Sequence, residues 1–502
     1  MSASEAGARK GNRQHEMLGS NSSVRRSPLV VDLDGTLTPT DTLVESLFAL
    51  VKSRPLLALR APLELSKGRA QLKCFVATHS VVDIETLPIR ADVFAYLQKE
   101  RALGRRIILA TAAHHSIAKA VADRLGVFDD VIASDESVNL KGNAKLTAIQ
   151  ALVGKDFTYA GDSSADLPIW MAAEGAVLVG APAGVARRVK ESVAVEAEFP
   201  SARASWRVWL RACRVHQWAK NLLLFVPLLT SGYFAGINNF FVTALAFVAM
   251  SLVASATYLT NDLWDLVSDR LHPRKRYRPL ASGAISPATG IGAILLLHAI
   301  GFALSLAVSS AFAAVLVFYL TLTTIYSMRL KEYVLLDVMT LTALYLIRIF
   351  AGALVINVAI SSWLLQFAAF TFLSLALVKR CSELVTLDQS GRVAARGRDY
   401  RVSDLAILWP LGVAASIAAI VVFGLFINSP ETQSRYAAAP LLWFVAFALL
   451  YWLARIWIKA ARGEMHDDPL VFALVNRGSQ ITVAAMIVMV GVARLGTSWR
   501  SP

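Results

Sequence analysis

The chain has 502 residues, of which 56% are hydrophobic and 17% charged, and its mean hydropathy is +0.52. A formal charge of +14 can indicate nucleic-acid binding, but aromatic residues do not interleave with the basic ones, so we expect no nucleic-acid partner. The three cysteines, Cys74, Cys213 and Cys381, are far apart and form no CxxC pair. This spacing argues against a disulfide framework and against a zinc site.

The front of the chain is typical of a soluble protein. Residues 1–27 are polar and lack an apolar run, which indicates a flexible tail rather than a signal peptide. Over residues 28–200, short Val- and Ile-rich runs alternate with helical runs. This alternation predicts an α/β Rossmann-like domain with a parallel sheet, whose ligands bind beyond the carboxyl ends of the strands. Residues 41–105 interrupt the alternation with mostly helical sequence and predict an inserted cap.

Two motifs in this domain place reactive oxygens at the ends of predicted strands. VVDLDGT supplies Asp32 and Asp34. A carboxylate at the first position can attack a phosphoryl group, and one two residues later can protonate the leaving oxygen. In ILATAA, Thr111 ends another predicted strand, where its hydroxyl could hold a phosphate oxygen.

Two further motifs supply a cation and more carboxylates. Lys145 in KGNAK could neutralise charge as the phosphoryl group moves, and Lys141 remains an alternative for this role. GDSSADLP supplies Asp162 and Asp166, again after a predicted strand. Carboxylate oxygens of this kind are suited to hold Mg²⁺.

These four motifs, in this order, resemble the haloacid dehalogenase-like (HAD) superfamily of phosphatases over about residues 28–200. The resemblance implies that Asp32 is the nucleophile and Asp34 the general acid/base. It also implies that Mg²⁺ is bound by Asp162, Asp32 and the backbone carbonyl of Asp34, near Asp166. A solvated turn or a degenerate scaffold would be the structural alternatives.

The rest of the chain is typical of a membrane protein. Residues 201–213 predict a linker or interfacial helix, and residues 214–498 an all-α polytopic membrane domain. We predict nine spans, near residues 214–233, 239–260, 288–308, 311–327, 334–355, 361–379, 404–427, 437–457 and 474–495. Lys and Arg concentrate in alternate loops, which predicts that these loops and the front domain face the cytoplasm of a bacterial inner membrane. Nine spans would leave the C-terminus outside.

A cluster of acidic residues follows the second predicted span, in NDLWDLVSDRLHPRKRYRPLASG. Asp262, Asp265 and Asp269 are spaced i, i+3 and i+7, so on one helix they would share a face. Three like charges near a membrane repel unless a cation lies between them, which predicts Mg²⁺-bridged binding of a diphosphate. Basic residues that could hold phosphate oxygens accompany them. These are Arg270, Arg274, Lys275, Arg276 and Arg278, with Asn261 at the start of the motif.

The pattern NDxxDxxxD after the second span resembles the UbiA superfamily of membrane prenyltransferases over about residues 208–498. DRLHPRKRYRPLASG, YSMRLKEYVLLDVMTLTALYLIRIFAG and LVKRCSEL are similar to one branch, the polyprenyl-phosphate phosphoribosyltransferases, which include decaprenyl-phosphate phosphoribosyltransferase (DPPR synthase). This resemblance implies Mg²⁺ as cofactor, polyprenyl phosphate as lipid acceptor, and 5-phosphoribosyl diphosphate (PRPP) or another diphosphate as donor.

Polar residues after the fourth and sixth predicted spans distinguish the branches. Aromatic prenyltransferases of the superfamily usually carry a second Asp-rich cluster, whereas this chain has a single Asp, Asp337, among Tyr326, Lys331 and Arg348. An acceptor that is itself an anionic phosphate favours more cations and fewer carboxylates. A third polar patch at the same predicted membrane face consists of Lys379, Arg380 and Glu383.

The two resemblances together imply a bifunctional enzyme. The membrane domain would transfer 5-phosphoribose from PRPP to polyprenyl phosphate, and the HAD domain would remove the 5-phosphate to give a precursor of lipid-linked arabinose. The alternative is an aromatic prenyltransferase for quinone, haem or chlorophyll-type acceptors, fused to an unrelated phosphatase. A third reading is a transporter or membrane anchor for a soluble phosphatase.

Overall fold

The computed structural model describes residues 26–80, 82–136, 138–200, 204–231, 237–391, 398–465, 469, 471–472 and 476–495. The predicted flexible tail lies almost entirely outside the described residues. The chain divides into two compact units, which are described separately. The first comprises Met1–Ser205 and Leu266–Ala288, and the second Trp206–Asp265 and Thr289–Pro502.

The first unit contains the predicted parallel sheet. Its six strands are all paired in parallel in the order β3-β2-β1-β4-β5-β6. They are β1 (Leu29–Val31), β2 (Ile107–His114), β3 (Asp130–Ser134), β4 (Thr158–Gly161), β5 (Gly175–Val179) and β6 (Ala194–Phe199). The α/β prediction is therefore confirmed.

Hydrophobic cores lie on both faces of this sheet. Because successive side chains of a strand point to opposite faces, Leu29 and Val31 belong to one core and Val30 to the other. Helices cover both faces, as expected for parallel strands with continuous apolar sequence. They are α1 (Thr42–Ser53), α2 (Pro55–Ala58), α3 (Ala61–Ser66), α4 (Arg69–His79), α5 (Ala91–Ala102), α6 (His115–Leu125), α7 (Asn143–Val153), α8 (Leu167–Trp170) and α9 (Ala183–Ser192), with 3₁₀ turns at Ile84–Thr86 and Ser164–Asp166.

Four of these helices, α1 to α4, follow β1 and precede β2 in the sequence. They form a small layer with a hydrophobic cluster of its own. Leu50, Leu72 and Val76 are the centre of its hydrophobic cluster. Helix α5 also lies in the region predicted as a cap, but its Val93 and Leu97 pack into the core of the sheet. We use the name cap for α1–α4.

A segment that follows a membrane helix in sequence also belongs to the first unit. Leu266–Ala288 contains α13 (Leu266–Leu271) and a 3₁₀ turn at Lys275–Tyr277. Arg270 of this segment forms an ion pair of 2.6 Å with Glu45 of α1, and only 6% of each side chain is exposed. This buried ion pair joins the segment to the cap.

The second unit is helical. Its α-helices are α10 (Trp206–Ala212), α11 (Val226–Ser231), α12 (Ile237–Trp264), α14 (Pro287–Val308), α15 (Ser310–Met328), α16 (Leu336–Val355), α17 (Ser362–Gln389), α18 (Leu405–Ile427), α19 (Pro430–Arg435), α20 (Leu442–Ala461) and α21 (Arg477–Leu495). Shorter 3₁₀ elements are Val215–Phe225, Leu330–Glu332, Val402–Asp404 and Ala439–Leu441.

Seven helices in the described part of the chain are long and apolar enough to cross a membrane. They are Ile237–Trp264, Pro287–Val308, Ser310–Met328, Leu336–Val355, Ser362–Gln389, Val402–Ile427 and Ala439–Ala461. The predicted count of nine spans is not confirmed. The first predicted span contains the 3₁₀ helix Val215–Phe225 and the six-residue α11, and the ninth contains α21, which is not among the seven.

The acidic motif after α12 does not lie on one continuous helix. Helix α12 ends at Trp264, and α13 begins at Leu266. Asp262 therefore lies in the last turn of one helix and Asp269 in the next helix, with Asp265 at the break. The prediction that the three carboxylates share one helical face is wrong, because the face is interrupted between the second and third of them.

Candidate functional sites

Asp32 stands directly after β1, at the carboxyl end of the sheet, and only 8% of it is exposed. Its Oδ1 accepts a hydrogen bond of 2.8 Å from the backbone N–H of Leu33. Gly35 follows with φ of +79°, and a Cβ there would lie 2.2 Å from Asp162 Oδ2. Glycine is therefore required at this turn, both for its backbone conformation and for the close approach of Asp162.

Asp34 is held by the first residue of the cap. Its two carboxylate oxygens accept hydrogen bonds from Thr42 N (2.8 Å) and Thr42 Oγ1 (3.1 Å), where α1 begins. Burial raises the pKa of Asp34 to about 7, and the nearby Asp41 carboxylate adds to this increase. A carboxyl group with such a pKa can both donate and accept a proton near neutral pH.

Lys145, in the first turn of α7, contacts the Asp32 carboxylate. Its Nζ lies 2.8 Å from Asp32 Oδ2 and 3.6 Å from Asp166 Oδ1, and its side chain is 3% exposed. Burial alone would lower the pKa of Lys145, but the charges of Asp32 and Asp166 outweigh burial and raise it. Lys141 lines the same cavity but is exposed. Of the two lysines in the motif, Lys145 is the one that pairs with Asp32.

Three carboxylates converge beside this lysine. Asp32, Asp162 and Asp166 each offer an oxygen, and these oxygens lie within 4.8 Å of one another. In the part of the chain that the structure describes, this is the only group of three acidic, His or Cys ligands found so close. Burial raises the pKa of Asp162 to about 7, and the neighbouring Asp32 adds to the effect. A hard divalent cation with oxygen ligands fits this set, because it would relieve the repulsion.

Asp166 is oriented by its neighbours. One oxygen accepts hydrogen bonds from Ser163 N (3.1 Å) and Ser163 Oγ (2.9 Å), and the other accepts one from Tyr159 OH (2.9 Å). The Tyr159 hydroxyl also accepts a hydrogen bond of 3.0 Å from Lys145 Nζ. Tyr159 was missed in the sequence because it lies inside an apolar strand run, where an aromatic residue is usually core.

Thr111 occupies a different place from the other motif residues. It is fully buried within β2, and its Oγ1 accepts a hydrogen bond of 3.0 Å from Ala113 N. The neighbouring Ala112 and Ala113 line the cavity instead. The prediction that Thr111 ends its strand is wrong, because β2 continues to His114. Its predicted contact with a phosphate oxygen stays a prediction.

A cavity of about 530 Å³ opens in front of these residues. Asp32, Asp34 and Asp162 lie on one part of its wall, and the cap contributes Arg69 and Lys73 of α4. Lys73 Nζ donates to Ala112 O (2.6 Å) and Asn139 Oδ1 (2.8 Å), and burial lowers the pKa of Lys73. The volume is in the range of pockets that hold a small molecule, so it has room for more than inorganic phosphate. No motif in the sequence indicated the two cap cations.

Asp269 of the acidic motif is paired with basic residues of the run that follows it. It is 1% exposed, and its Oδ2 accepts a hydrogen bond of 2.6 Å from Arg278. Its Oδ1 is buried without a hydrogen bond and lies 3.9 Å from Lys275 Nζ. In the sequence between Asp269 and Arg278, the side chains of Arg274, Lys275 and Arg276 are exposed.

Asp262 of the second unit is buried and accepts a hydrogen bond from Arg214. Arg214 has a left-handed backbone with φ of +48°, and its guanidinium lies 4.8 Å from the ring centre of Tyr258. A non-glycine residue in this conformation is strained, and such strain is common at functional sites. Arg214 was missed because the sequence predicts a membrane span that begins there. Asn261 and Asp265 beside Asp262 are partly exposed.

Arg348 is buried inside α16 and donates hydrogen bonds to three polar partners. It donates to Asn221 Oδ1 (2.8 Å), to Tyr319 OH (2.9 Å) and to the backbone oxygen of Leu344. The Tyr319 ring also faces the guanidinium at 4.9 Å. Its position therefore differs from that of an arginine extended toward the membrane surface.

Asp337 and the third polar patch form one ion-pair network. Asp337 is fully buried and lies 2.6 Å from Arg380, which is 1% exposed. Arg380 and Arg398 both pair with Glu383. Tyr326, Lys331 and Lys379 are partly exposed. The network joins the sequence regions after the fourth and sixth predicted spans.

Comparison with known proteins identifies both parts of the chain. Residues 29–170 match the haloacid dehalogenase-like hydrolases, and residues 224–477 match the UbiA prenyltransferase family. The chain belongs to the UbiA prenyltransferase family. Within this family it carries an additional HAD-like hydrolase domain, so the enzyme combines a transferase with a phosphatase.

Relatives of this UbiA-family protein include one that is similar along most of its length. The uncharacterized protein y4nM of Sinorhizobium fredii is 40% identical over 91% of this chain and 89% of its own. The decaprenyl-phosphate phosphoribosyltransferase of Mycobacterium tuberculosis is 30% identical over 57% of this chain and 93% of its own. A UbiA homolog from Archaeoglobus fulgidus, solved with GPP and Mg²⁺, covers 57% of this chain and 99% of its own at 15% identity, with a TM-score of 0.44. The seven apolar helices agree with a multi-pass membrane protein of the UbiA family.

Proposed function

We propose that this UbiA-family enzyme transfers 5-phosphoribose from PRPP to polyprenyl phosphate and then hydrolyses the 5-phosphate of the product. The proposal is supported by the 30% identity to a decaprenyl-phosphate phosphoribosyltransferase over 93% of that enzyme. The observation that carries it is the Lys145–Asp32 pair beside Asp34 and Asp162, which suits hydrolysis of a phosphomonoester. The transfer product carries such a group, and both activities reside in one chain.

In the transfer step, a phosphate oxygen of polyprenyl phosphate forms a bond to C1 of ribose. The bond from C1 to the diphosphate breaks, and the diphosphate leaves with its electron pair. Asp262, which is buried, and the partly exposed Asp265 are proposed to hold Mg²⁺ on the diphosphate. The exposed Arg274, Lys275 and Arg276 suit phosphate oxygens of donor or lipid.

The basic and polar residues of the second unit suit an anionic acceptor. Arg348 and Arg380 are buried cations in helices α16 and α17, and Tyr326, Lys331 and Lys379 are partly exposed. Asp337 is already paired with Arg380. Among the described residues, no group of three acidic side chains around Asp337 could hold a second metal ion. This arrangement favours a phosphate acceptor over a neutral aromatic ring.

In the hydrolysis step, Asp32 attacks the phosphorus of the 5-phosphate and forms an aspartyl phosphate, while O5 of ribose leaves. Asp34, with its pKa raised to about 7, donates the proton to O5 and then accepts one from the water that cleaves the aspartyl phosphate. Lys145 holds the Asp32 carboxylate in position throughout. Mg²⁺ bound by Asp32, Asp162 and the Asp34 carbonyl, with Asp166 beside it, would neutralise phosphate charge.

The location follows from the same reasoning. Basic loops alternate along the membrane part, so we place them and the phosphatase at the cytoplasmic face of a bacterial inner membrane. The covalent tether then raises the effective concentration of the lipid product near the phosphatase.

The test is a product analysis with the purified full-length protein. The protein is incubated with Mg²⁺, labelled PRPP and polyprenyl phosphate, and the lipid is identified by mass. The unsubstituted protein should yield polyprenyl-phosphoribose, whereas Asp32→Asn should accumulate the 5-phosphorylated lipid. Asp123→Asn, which changes an exposed Asp of α6, is the matched control and should behave like the unsubstituted protein.

Two results would contradict the proposal in different ways. Rapid loss of the 5-phosphate in Asp32→Asn would separate the phosphatase from the transfer product. Prenylation of an aromatic acceptor from a polyprenyl diphosphate, with no use of PRPP, would establish the aromatic prenyltransferase alternative.

A further inference from the structure

The cap carries an exposed apolar surface that the phosphatase chemistry does not explain. Leu56, Leu59, Leu63 and Leu65 lie in or beside the short helices α2 and α3, and they are 83%, 76%, 59% and 49% exposed in the complete chain. We call these four residues the leucine surface. One exposed leucine is ordinary in a protein, but four within ten positions form a patch that needs an explanation.

The leucine surface is not the poorly packed inner side of the cap. The same two helices direct Leu57, Ala58 and Ala61 into the cap cluster around Leu50 and Leu72. The helices are therefore apolar on the side that packs and apolar again on the side that faces outward. Core packing accounts for the first side only.

Basic residues surround the leucine surface. Between residues 51 and 70 the chain has five Lys or Arg residues and a single acid, Glu64. Arg54 and Arg60 are exposed directly beside the leucines, whereas Lys67 pairs with Glu64. Exposed leucines among arginines and lysines are the composition of segments that lie in the interface of an anionic bilayer.

We infer that the leucine surface docks on an anionic lipid bilayer. Three observations favour a bilayer over a protein partner. The charge of the segment is complementary to anionic headgroups. The exposed side chains are aliphatic, which suits acyl chains. The described part of the same chain has seven helices able to cross a membrane, so the cap is covalently tethered to a membrane protein.

The leucine surface continues into the phosphatase cavity. Leu65 belongs to the surface and also lines the cavity, together with Arg69 and Leu72 of the adjoining helix. A cap seated on the bilayer would therefore present the wall of the cavity to a phosphomonoester attached to a lipid. This consequence rests on the proposed function, whereas the docking itself does not.

Docking is tested by lipid quenching in the full-length protein. An environment-sensitive fluorophore is attached at Leu59→Cys, in a background that replaces Cys74 and Cys213 and keeps the fully buried Cys381. Leu103→Cys is the matched control, since Leu103 is a 61% exposed leucine of the same unit outside the leucine surface. Nanodiscs contain brominated lipids, either with phosphatidylglycerol or with phosphatidylcholine alone.

The expected result is strong quenching at residue 59 by brominated lipid, greater with phosphatidylglycerol, and weak quenching at residue 103. Equal quenching at both positions would overturn the inference. So would full access of aqueous iodide to the label at residue 59 in nanodiscs, which would leave the surface free for a protein partner.

A kinetic test examines the consequence for the substrate. The triple variant Leu56→Ser/Leu59→Ser/Leu63→Ser should raise the KM for the 5-phosphorylated lipid in nanodiscs about tenfold, because the bilayer contact no longer concentrates the cavity at the lipid surface. Hydrolysis of soluble p-nitrophenyl phosphate should be unchanged, which also shows that the domain is folded. Leu103→Ser/Leu152→Ser, which changes two exposed leucines elsewhere in the unit, is the control.

The two tests separate the two proposals. An unchanged KM in the triple variant would contradict the role of docking in substrate access. If Asp32→Asn yields no 5-phosphorylated lipid, the proposed function fails, and the quenching measurement still decides whether the leucine surface contacts a bilayer.

Discussion

The phosphatase site of the first unit and the polar residues of the second unit treat buried carboxylates in opposite ways. In the first unit, Asp32, Asp162 and Asp166 crowd within 4.8 Å of one another around a single lysine, Lys145. This site has more carboxylates than cations, an arrangement that suits a divalent cation. Under the proposed function, the site would therefore be arranged for a metal and a phosphate before either binds.

In the second unit, the buried acids are already neutralised by arginines. Asp262 pairs with Arg214, and Asp337 pairs with Arg380. Under the proposed function, a metal-bound diphosphate at Asp262 would compete with, or rearrange, the ion pair with Arg214. We therefore expect the phosphatase site to be preformed and the ion pairs of the transfer site to change when substrate binds.

The largest effect is expected where one cation serves several acids. Lys145→Met should reduce phosphatase activity on the order of 10³-fold, because Asp32 loses the group that orients and stabilises it. Initial rates with a soluble phosphomonoester measure the effect. Lys141→Met should have a much smaller effect, and Lys155→Met, an exposed lysine after α7, should have none. Equal losses of activity in the Lys141 and Lys145 variants would contradict the inference that Lys145 alone pairs with Asp32 and Asp166.

Disrupting the ion-pair network of Asp337, Arg380, Glu383 and Arg398 should lower the free energy of unfolding. Asp337→Asn leaves Arg380 buried with less compensating charge, and we expect a loss of about 3 kcal/mol in the free energy of unfolding. Equilibrium unfolding in mixed detergent micelles measures it. Asp388→Asn, an exposed acid on the same helix as Arg380, should change it by less than about 0.5 kcal/mol. A stable Asp337→Asn variant would show that the pair is dispensable.

Arg214 should act as a positioning residue for Asp262. Arg214→Gln should reduce transfer about 10- to 100-fold and raise the Mg²⁺ concentration needed for half-maximal rate, since Asp262 loses its orienting partner. Arg214→Lys should restore part of the rate, and Arg211→Gln, an exposed arginine nearby in sequence, should have no effect. A loss of rate without a shift in Mg²⁺ dependence would indicate a purely structural role.

The smallest effect has the opposite sign from that of Asp337. Without Mg²⁺, Asp162→Asn should stabilise the first unit by about 1 kcal/mol, because one of three mutually repelling carboxylates is removed. Hydrogen exchange of the β1 and β4 amides in the full-length protein measures this stability with and without Mg²⁺. Mg²⁺ should protect these amides in the unsubstituted protein and much less in Asp162→Asn. Destabilisation by Asp162→Asn in EDTA would contradict the charge-excess description.

The α/β domain was predictable because β1 to β5 are short apolar runs, and polar motifs follow β1 and β4. The edge strand β6, AVEAEF, lacks such a run and was not predicted. Strand ends meet at one edge of a parallel sheet, so Asp32 and Asp162 were expected to converge. The choice between Lys141 and Lys145 was not predictable, because it depends on where α7 begins. Gly142 adopts φ of +59° and α7 starts at Asn143, which leaves Lys141 outside the helix and Lys145 in its first turn.

Other features depend on contacts between distant parts of the chain. Arg214 and Asp262 are 48 positions apart, and no periodicity links them. Residues 261–271 contain no Pro or Gly, the residues that usually indicate the end of a helix. The sequence therefore did not predict the interruption between α12 and α13. The high hydropathy of the first predicted span indicated one membrane helix. The structure instead has a 3₁₀ helix followed by a short α-helix with Pro227 near its start. The hydropathy of a segment indicates whether it is apolar enough to lie in a membrane. It does not indicate whether the segment forms one continuous helix.

The discontinuity of the first unit has a consequence for biosynthesis. Its two pieces, Met1–Ser205 and Leu266–Ala288, are separated by a stretch that contains the membrane helix Ile237–Trp264. Chains fold from the N-terminus as they are synthesised, so Glu45 emerges from the ribosome long before Arg270. All residues of the first unit are therefore available only after the helix Ile237–Trp264 of the second unit has been synthesised.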